Sequence, residues 1–211
     1  MNNRGLNGID ASMFRAVNRF ADRTSWAHGA VVVYAKSIGI VAFAVLLVAG
    51  WWVARGRADL DQMARVLWAG AGALVALGVN QVIGSLIDRA RPFETLADVH
   101  VLVSRTTDFS FPSDHAVVAG AVAAGLVLAH RGIGMVAVVL AMVLALARVY
   151  VGTHYPADVV AGLALGAVVV VVGALAAIPL IRALVGVLAR SPLHPVIAAR
   201  EPTDAPVASR P

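Results

Sequence analysis

Three short polar stretches interrupt a strongly apolar chain, and each contains residue types that bind or transfer phosphate. The first is GSLIDRARPF at residues 84–93, and the second is FSFPSDHA at residues 109–116. The third, ARVYVGTHYPADVVAG at residues 147–162, places an arginine, a histidine and an aspartate between two apolar segments. Ionisable groups at the edge of a bilayer are costly and usually face a partner or a cavity. The question is therefore what these groups bind.

The first two stretches have both a structural and a phosphate-binding interpretation. Arg89 and Arg91 could meet lipid headgroups at a helix exit, where the following proline would stop the helix. Ser113 and Asp114 could simply cap the next helix. The functional interpretation is that free N–H groups at that helix start bind an anion, with Ser113 donating to it and His115 supplying a proton.

The third stretch is harder to explain by structure alone. Pro156 suits the first turn of a helix, and Asp158 in that turn is favourable to the helix dipole. Neither residue accounts for Arg148 or His154. A carboxylate near a histidine can hold one imidazole N–H, which leaves the other ring nitrogen free as a nucleophile or base.

Together the stretches contain the groups that a phosphoryl-transfer site needs. Arginines supply fixed positive charge and forked donors for a phosphate. One histidine can attack phosphorus while a second protonates the leaving oxygen, and the rest of the catalysis is positioning and charge stabilisation. The sequence has no cluster of carboxylates suited to magnesium and no cysteine for a thiolate metal site. We therefore predict a reaction that uses no metal and no other cofactor.

Membrane-spanning helices must position these residues. The chain is 60% hydrophobic and only 14% charged, whereas soluble proteins carry about 25% charged residues. Several uncharged runs approach the ~20 residues that cross a bilayer core. We predict an all-α integral membrane protein, a bundle of five or six transmembrane helices. Five spans are predicted at Ser37–Ala54, Val66–Ile87, Ala116–Ala129 (with a start a few residues earlier), Gly132–Val151 and Val159–Ile181.

The two ends of the chain differ from this core. Residues 1–24 are polar with apolar positions at helical spacing, which predicts an amphipathic helix on the membrane surface. Residues 191–211 are rich in proline and predicted to be disordered. Residues 1–190 then form one membrane domain with its core at 37–181, and whether residues 25–36 add a crossing stays open. The scattered arginines do not form the basic stripe of a nucleic-acid-binding protein, and the oligomeric state stays open.

The alternation of spans brings the three polar stretches to one membrane face. The opposite face would hold eight arginines, which the positive-inside tendency places in the cytoplasm: Arg55, Arg57, Arg65, Arg131, Arg182, Arg190, Arg200 and Arg210. We therefore predict a site that faces outward from the bacterial cytoplasmic membrane. The four arginines within residues 1–24 count against this orientation unless residues 25–36 cross the membrane.

The order and spacing of these residues resemble the type 2 phosphatidic acid phosphatase (PAP2) superfamily of membrane lipid phosphatases. That family's pattern is Lys, six residues, Arg-Pro; then Pro-Ser-Gly-His; then Ser-Arg, five residues, His, three residues, Asp. The corresponding positions here are Arg91-Pro92, then Pro112-Ser113-Asp114-His115, then Ala147-Arg148, His154 and Asp158. The resemblance covers about residues 66–181, and the Phe-Pro-Ser-Asp-His form is most similar to the bacterial undecaprenyl-diphosphatase branch.

The resemblance implies a role for each site residue. His154 would be the nucleophile that forms a phosphohistidine, Asp158 its orienting partner and His115 the general acid. Phosphate would be bound by Arg91, Arg148, Ser113 and Asp114. The implied protein is a helical bundle, commonly of six spans, that removes the terminal phosphate of a polyprenyl (undecaprenyl-type) diphosphate without metal. The product is the monophosphate carrier lipid of envelope synthesis, so the partners are a lipid phosphate substrate and membrane lipids.

Two positions depart from the family's pattern. Its lysine falls at Gly84 and its serine at Ala147. Losing a charge-assisted hydrogen bond from the lysine costs roughly 1.5–3 kcal/mol and predicts a weaker phosphate site. Arg89 could compensate, although on a regular helix it would point to another face than Arg91. Ala147 is expected to remove a supporting hydrogen bond rather than a catalytic group.

Two other functions stay open. The same chemistry could act on phosphatidic acid, phosphatidylglycerol phosphate or another prenyl-linked phosphate, because generic apolar helix faces recognise the lipid tail. The chain could also be a non-catalytic phospholipid binder or transporter. Transporters more often carry polar groups in mid-span, whereas the ionisable groups here gather at one edge of the bundle.

Overall fold

The structure, a computed structural model, describes residues 3–192, and within them all regular secondary structure is helical. The α-helices are α1 (Asn3–Arg23), α2 (His28–Val33), α3 (Gly39–Gly56), α4 (Leu60–Ile87), α5 (Pro92–Thr95), α6 (Asp114–Ala129), α7 (Arg131–Tyr150) and α8 (Pro156–Leu188). Four helical segments are long and apolar enough to span a membrane, and α6 is a shorter apolar helix. The predicted all-α membrane fold is thus confirmed. Of the predicted disordered tail, residues 193–211 lie outside the described residues.

Residues 25–36 lengthen the first span and do not form a crossing of their own. Ser25–Gly56 is one helical segment of 32 residues, which includes a 3-10 turn at Ser25–Ala27 and a π turn at Tyr34–Ile38. The described residues therefore make five crossings, the smaller of the two predicted numbers. As a consequence, α1 and its arginines lie at the same end of the bundle as the three polar stretches, so both ends carry arginines.

The N-terminal segment forms the predicted amphipathic helix, α1. One of its sides packs on the bundle through the buried Phe14 and Ala21. An adjacent stripe of Ile9, Met13 and Phe20 is exposed. Such an apolar stripe beside arginine-rich turns is typical of a helix that lies in a membrane interface.

Helix α6 is surrounded by α4, α7 and α8, and it lies unusually close to α8. A Cβ added to Gly166 would come within 2.1 Å of the Val117 backbone oxygen, and one on Gly162 within 2.8 Å of the Ser113 oxygen. Small residues at this four-residue spacing let the two backbones meet. The starts of α6 and α8 are consequently adjacent, and the Ser113 N–H donates to the Asp158 backbone oxygen at 3.1 Å.

Two more spans are longer than the sequence indicated, because charged residues do not end them. Helix α4 begins at Leu60 and α8 continues to Leu188, whereas the predicted spans Val66–Ile87 and Val159–Ile181 stop next to Arg65 and Arg182. Arg182 forms an ion pair with Asp61 at 3.1 Å. The Arg65 guanidinium donates to the Leu128 backbone oxygen at 3.3 Å. These partners satisfy both arginines at the end of the bundle opposite the polar stretches.

Candidate active site

The three polar stretches meet at one end of the bundle around a cavity of about 130 Å³, which we call the phosphate cavity after its predicted role. Helix α4 ends at Ile87, after which residues 88–113 run across this end with only the single turn α5. Five of the seven predicted site residues line the cavity: Arg91, Asp114, His115, Arg148 and His154. The other two, Ser113 and Asp158, are fully buried beside it.

The turn between α7 and α8 fixes His154. Gly152 adopts a left-handed conformation with φ of +83°, which L side chains rarely tolerate. This turn leaves His154 only 2% exposed, with its Nδ1 atom 2.8 Å from the Ser110 backbone oxygen. Since a carbonyl oxygen can only accept, Nδ1 carries the proton and Nε2 has a free lone pair.

The free Nε2 atom of His154 lies between two guanidinium groups. It is 3.4 Å from Arg91 Nη1 and 3.3 Å from Arg148 Nη2. Burial lowers the pKa of His154; the Asp158 carboxylate opposes this shift, while the charges of Arg148 and Arg91 add to it. The imidazole is therefore held neutral next to fixed positive charge, which is the state that a nucleophile for phosphate requires.

Arg91 is held rigidly at the rim of the cavity. Its Nε donates to the Asp108 backbone oxygen at 3.1 Å, and its Nη2 donates to the Asp108 carboxylate at 3.0 Å. Its Nη1 donates to the Thr153 backbone oxygen at 2.9 Å. Three directed bonds pre-organise the guanidinium, which reduces the entropy lost when it binds an anion.

Arg148 and Ser113 each have an unpaired buried donor. Arg148 Nε and Ser113 Oγ have no hydrogen-bond partner among the described residues. Buried polar groups are rarely left unpaired in proteins, so both atoms have the capacity to donate to a bound anion. Ser113 occupies the N-cap position of α6, yet its side chain makes no capping hydrogen bond. The capping interpretation is therefore wrong for Ser113, and its hydroxyl is available to another group.

Asp114 is bound mainly to α4. Its Oδ1 atom accepts from Asn80 Nδ2 at 2.6 Å and from Gln81 Nε2 at 2.9 Å. These bonds tie the start of α6 to α4. A carboxylate repels phosphate, so a phosphate-binding role for Asp114 is possible only through its backbone N–H at the helix start. His115 follows in the same turn and faces the cavity.

Asp158 holds His154 less directly than we expected. Its Oδ2 atom is 3.8 Å from His154 Nδ1, which is beyond hydrogen-bond distance. The same oxygen instead accepts from Ser110 Oγ at 2.5 Å and from the Tyr155 N–H at 2.8 Å. Ser110 thus connects Asp158 to His154, through its hydroxyl on one side and its backbone oxygen on the other.

The position of the family's lysine is filled by an aromatic ring. A Cβ added to Gly84 would lie 2.0 to 2.7 Å from atoms of the Phe109 ring. Phe109 itself lines the phosphate cavity. Arg89 does not replace the lysine, because its guanidinium binds Asp158 and Asp10. In this protein, therefore, an apolar ring and not a second cation occupies the space of the family's lysine.

The second departure lies away from the phosphate cavity. Ala147 lines a separate apolar cavity of about 530 Å³ between α1, α2 and α7, where its neighbours include Val17 and Tyr34. This cavity is the larger of the two, but its lining offers no histidine, arginine or carboxylate. The alanine side chain at residue 147 thus matches the apolar lining of this second cavity.

The sequence did not predict that Ser110 and Arg89 contact the His154 and Asp158 pair. Ser110 lies within the FSFPSDHA stretch, and a signal was present, since a buried hydroxyl next to a phosphate motif needs a partner. The sequence suggested Arg89 as a contact for lipid headgroups or as a substitute for the family's lysine, and not as a partner of Asp158. Its true partners lie 69 and 79 residues away in the sequence, so spacing along the chain could not indicate them.

Known proteins of one family share sequence with this chain. Residues 65–181 match the PAP2 superfamily. The chain is 29% identical over 161 residues to undecaprenyl-diphosphatase BcrC of Bacillus subtilis, covering 76% of this chain and 80% of that protein. It is 42% identical over 104 residues to decaprenylphosphoryl-5-phosphoribose phosphatase of Mycobacterium tuberculosis, covering 49% of this chain and 56% of that protein.

A solved structure has the same fold. The transmembrane PAP2 type phosphatidylglycerolphosphate phosphatase from Bacillus subtilis superposes with a TM-score of 0.59 and 23% identity, covering 81% of this chain and 85% of that one. The family match spans more than half of the sequence and includes all seven predicted site residues. The protein is accordingly a phosphate-ester hydrolase. It belongs to the PAP2 superfamily, in the undecaprenyl-diphosphatase-like branch.

Proposed function

We propose that this protein hydrolyses the terminal phosphate of an undecaprenyl-type diphosphate, releasing inorganic phosphate and the monophosphate carrier lipid. The observation that carries the proposal is the position of His154 Nε2, within 3.4 Å of guanidinium nitrogens of both Arg91 and Arg148. A phosphoryl group in the cavity would meet a nucleophile and two cations together. The choice of substrate follows from the resemblance to the Bacillus subtilis undecaprenyl-diphosphatase.

In the first half of the reaction, His154 Nε2 attacks the terminal phosphorus. A nitrogen–phosphorus bond forms, and the bond from that phosphorus to the bridging oxygen breaks. His115, which faces the cavity, gives its proton to the bridging oxygen, so that the lipid leaves as a monophosphate. Arg91 and Arg148 hold the equatorial oxygens, whose charge rises in the transition state.

In the second half, water releases the phosphate from His154. The now neutral His115 takes a proton from the water as the water oxygen attacks phosphorus, and the nitrogen–phosphorus bond breaks. Inorganic phosphate leaves, His154 is neutral again and His115 has regained its proton. Throughout, the Ser110 oxygen holds the Nδ1 proton of His154 and steadies the positive charge that forms on the phosphorylated ring.

Phosphate release from undecaprenyl diphosphate in detergent tests this proposal. His154→Ala is compared with wild type and with His100→Ala, an exposed histidine on the same face that pairs with Asp22 outside the cavity. We expect His154→Ala to be inactive and His100→Ala to be active. Undiminished release by His154→Ala would reject the nucleophile, and abolition of wild-type activity by EDTA would reject the metal-free reaction. Substrate labelled at the terminal phosphate should leave an acid-labile label on wild type and on His100→Ala, and none on His154→Ala.

A second candidate substrate is another prenyl-linked phosphate. The observation that favours it is the 42% identity, over about half the chain, to a decaprenylphosphoryl-5-phosphoribose phosphatase. Ranking undecaprenyl diphosphate, a prenyl-linked sugar phosphate, phosphatidylglycerol phosphate and phosphatidic acid by kcat/KM separates the candidates. Saturable binding of a labelled lipid diphosphate with no turnover of any of the four would instead indicate a binder or transporter.

A further inference from the structure

A row of charged side chains leads from α1 at the surface to the buried Asp158. Asp10 lies on α1 and is 8% exposed. Its Oδ2 atom is 2.6 Å from Arg89 Nη2, and Arg89 Nη1 is 2.5 Å from Asp158 Oδ1. Arg89 therefore bridges two carboxylates that come from helices at opposite ends of the sequence.

Arg89 and Asp10 are each fixed by further contacts. The Arg89 guanidinium lies over the Tyr155 ring, 4.1 Å from its centroid, and Phe14 of α1 packs on the same ring at 5.6 Å. The second oxygen of Asp10, Oδ1, accepts from the Ala157 N–H at 2.9 Å. Asp10 thus binds the first turn of α8 as well as Arg89, and it holds the bridge in one geometry.

The bridge acts on the side chain that orients the nucleophile. Asp158 is 0% exposed, and a buried carboxylate without a cation is very unfavourable. Arg89 supplies that cation. With one oxygen held by Arg89, the other oxygen of Asp158 is aimed at Ser110 Oγ at 2.5 Å. The Ser110 backbone oxygen then accepts a hydrogen bond from His154 Nδ1–H.

Neither Arg89 nor Asp10 lines the phosphate cavity. We propose that both are positioning residues for hydrolysis: Asp10 of the surface helix fixes Arg89, and Arg89 fixes Asp158 so that Ser110 holds His154 with Nε2 toward the phosphate. This inference rests on the proposed function, in which His154 is the nucleophile. It gives α1 a part in the reaction that its amphipathic pattern alone did not indicate.

Steady-state kinetics on the best substrate of the four-lipid panel test the proposal. We expect kcat to fall about ten-fold in Asp10→Asn and about a hundred-fold in Arg89→Gln, with KM within about two-fold of wild type. Arg89→Lys keeps the charge and should recover part of the loss. A change in KM alone, or full activity of Arg89→Gln, would overturn the proposal.

The matched control breaks a different contact of α1. Asn18 Nδ2 donates to the His100 backbone oxygen at 2.8 Å, and Asn18 Oδ1 accepts from the His100 N–H at 3.0 Å. Asn18→Ala therefore loosens α1 without touching Asp158. Its kcat should stay within about two-fold of wild type. An equal loss in Asn18→Ala and Asp10→Asn would mean that docking of α1, and not the bridge, is what matters.

A double variant tests the order of the bridge. Because Asp10 acts through Arg89, Arg89→Gln/Asp10→Asn should be no slower than Arg89→Gln alone, whereas independent effects would multiply. Multiplied losses would overturn the proposed chain of contacts. Thermal midpoints in detergent identify any variant that has simply lost its fold, and the comparison is then made with Arg89→Lys.

One readout does not depend on the substrate. In wild type, the imidazole ¹⁵N shifts of His154 should report a protonated Nδ1, assigned with His154→Ala. In Arg89→Gln and Asp10→Asn, the shifts should move toward a mixture of the two tautomers. Unchanged shifts would overturn the positioning role whichever lipid is the substrate, while failure of the proposed function would appear separately as full activity of His154→Ala.

Discussion

The Nδ1 atom of His154 lies 2.8 Å from the backbone oxygen of Ser110 and 3.8 Å from the nearer oxygen of Asp158. The tautomer of the nucleophile is therefore fixed by a backbone carbonyl, which can accept but never donate. Asp158 contributes indirectly, because its Oδ2 atom accepts a hydrogen bond from Ser110 Oγ at 2.5 Å. A carbonyl orients a histidine without taking its proton, which suits a ring that must stay neutral until it attacks.

This arrangement makes Ser110→Ala informative. The substitution removes the hydroxyl that Asp158 holds and leaves the carbonyl in place. A hydrogen bond to a charged group contributes about 1.5–3 kcal/mol, so we expect kcat to fall between about ten- and a hundred-fold with little change in KM. Ser85→Ala is the control, because Ser85 Oγ donates only to the Val82 backbone oxygen on the exposed side of α4. Wild-type kcat in Ser110→Ala would mean that the Ser110 carbonyl holds His154 without any contribution from Asp158.

The pH dependence of hydrolysis should reflect the surroundings of His154. Burial lowers its pKa below the ordinary 6.5; Asp158 opposes the shift, while Arg148 and Arg91 add to it. Since the neutral ring is the nucleophile, activity persists as pH falls until this lowered pKa is reached. We expect the acidic limb of kcat/KM to lie below pH 6.5.

A variant separates this titration from that of the substrate phosphate. Arg148→Gln removes one positive charge next to Nε2, so the acidic limb should move to higher pH while the activity falls. The ionisation of the substrate is the same for both proteins and cancels in the comparison. If the acidic limb does not move, it reflects the ionisation of the substrate or of another group, and not that of His154.

The Gly84–Phe109 contact predicts that the family's lysine cannot be restored alone. Any Cβ at residue 84 would meet the Phe109 ring at 2.0 to 2.7 Å, far inside van der Waals contact. Gly84→Lys should therefore lower both the thermal midpoint and kcat/KM, since overpacking costs about 1–3 kcal/mol. Gly84→Lys/Phe109→Ala should relieve the clash and, compared with Phe109→Ala, lower KM by adding a cation near the phosphate. An active, stable Gly84→Lys would show that the ring moves aside at little cost.

Much of the fold could be predicted because apolar runs are visible within short segments of the sequence. Apolar runs gave the five spans, and alternation of the spans placed the histidines at residues 115 and 154 on one face. Helix ends were less predictable. Arg65 and Arg182 looked like limits of the membrane segments, but partners on neighbouring helices satisfy them and the helices continue.

The site was predictable to the extent that its residues share short motifs. Spacing placed Arg148, His154 and Asp158 together, yet it could not reveal that Ser110 stands between two of them. That contact depends on how residues 88–113 cross the end of the bundle. The contact between Arg89 and Asp10 of α1 is even harder to predict, because no periodicity relates residue 10 to residue 89. Long-range contacts of this kind come from packing, and the sequence carries no local sign of them.

The orientation of the site in the membrane is the last expectation to test. Arginines at both ends of the bundle make the positive-inside tendency indecisive, so direct labelling is needed. The chain has no cysteine, and a single introduced cysteine is therefore the only target for a maleimide. Thr107 is an exposed residue beside the phosphate cavity, and Gly56 lies exposed at the opposite end, with open space for a side chain.

If the site faces outward, Thr107→Cys should react with a membrane-impermeant maleimide in intact cells, and Gly56→Cys should react only after the cells are opened. Both variants keep the cavity residues and should remain active, which verifies the fold. The reverse labelling pattern would place the site in the cytoplasm.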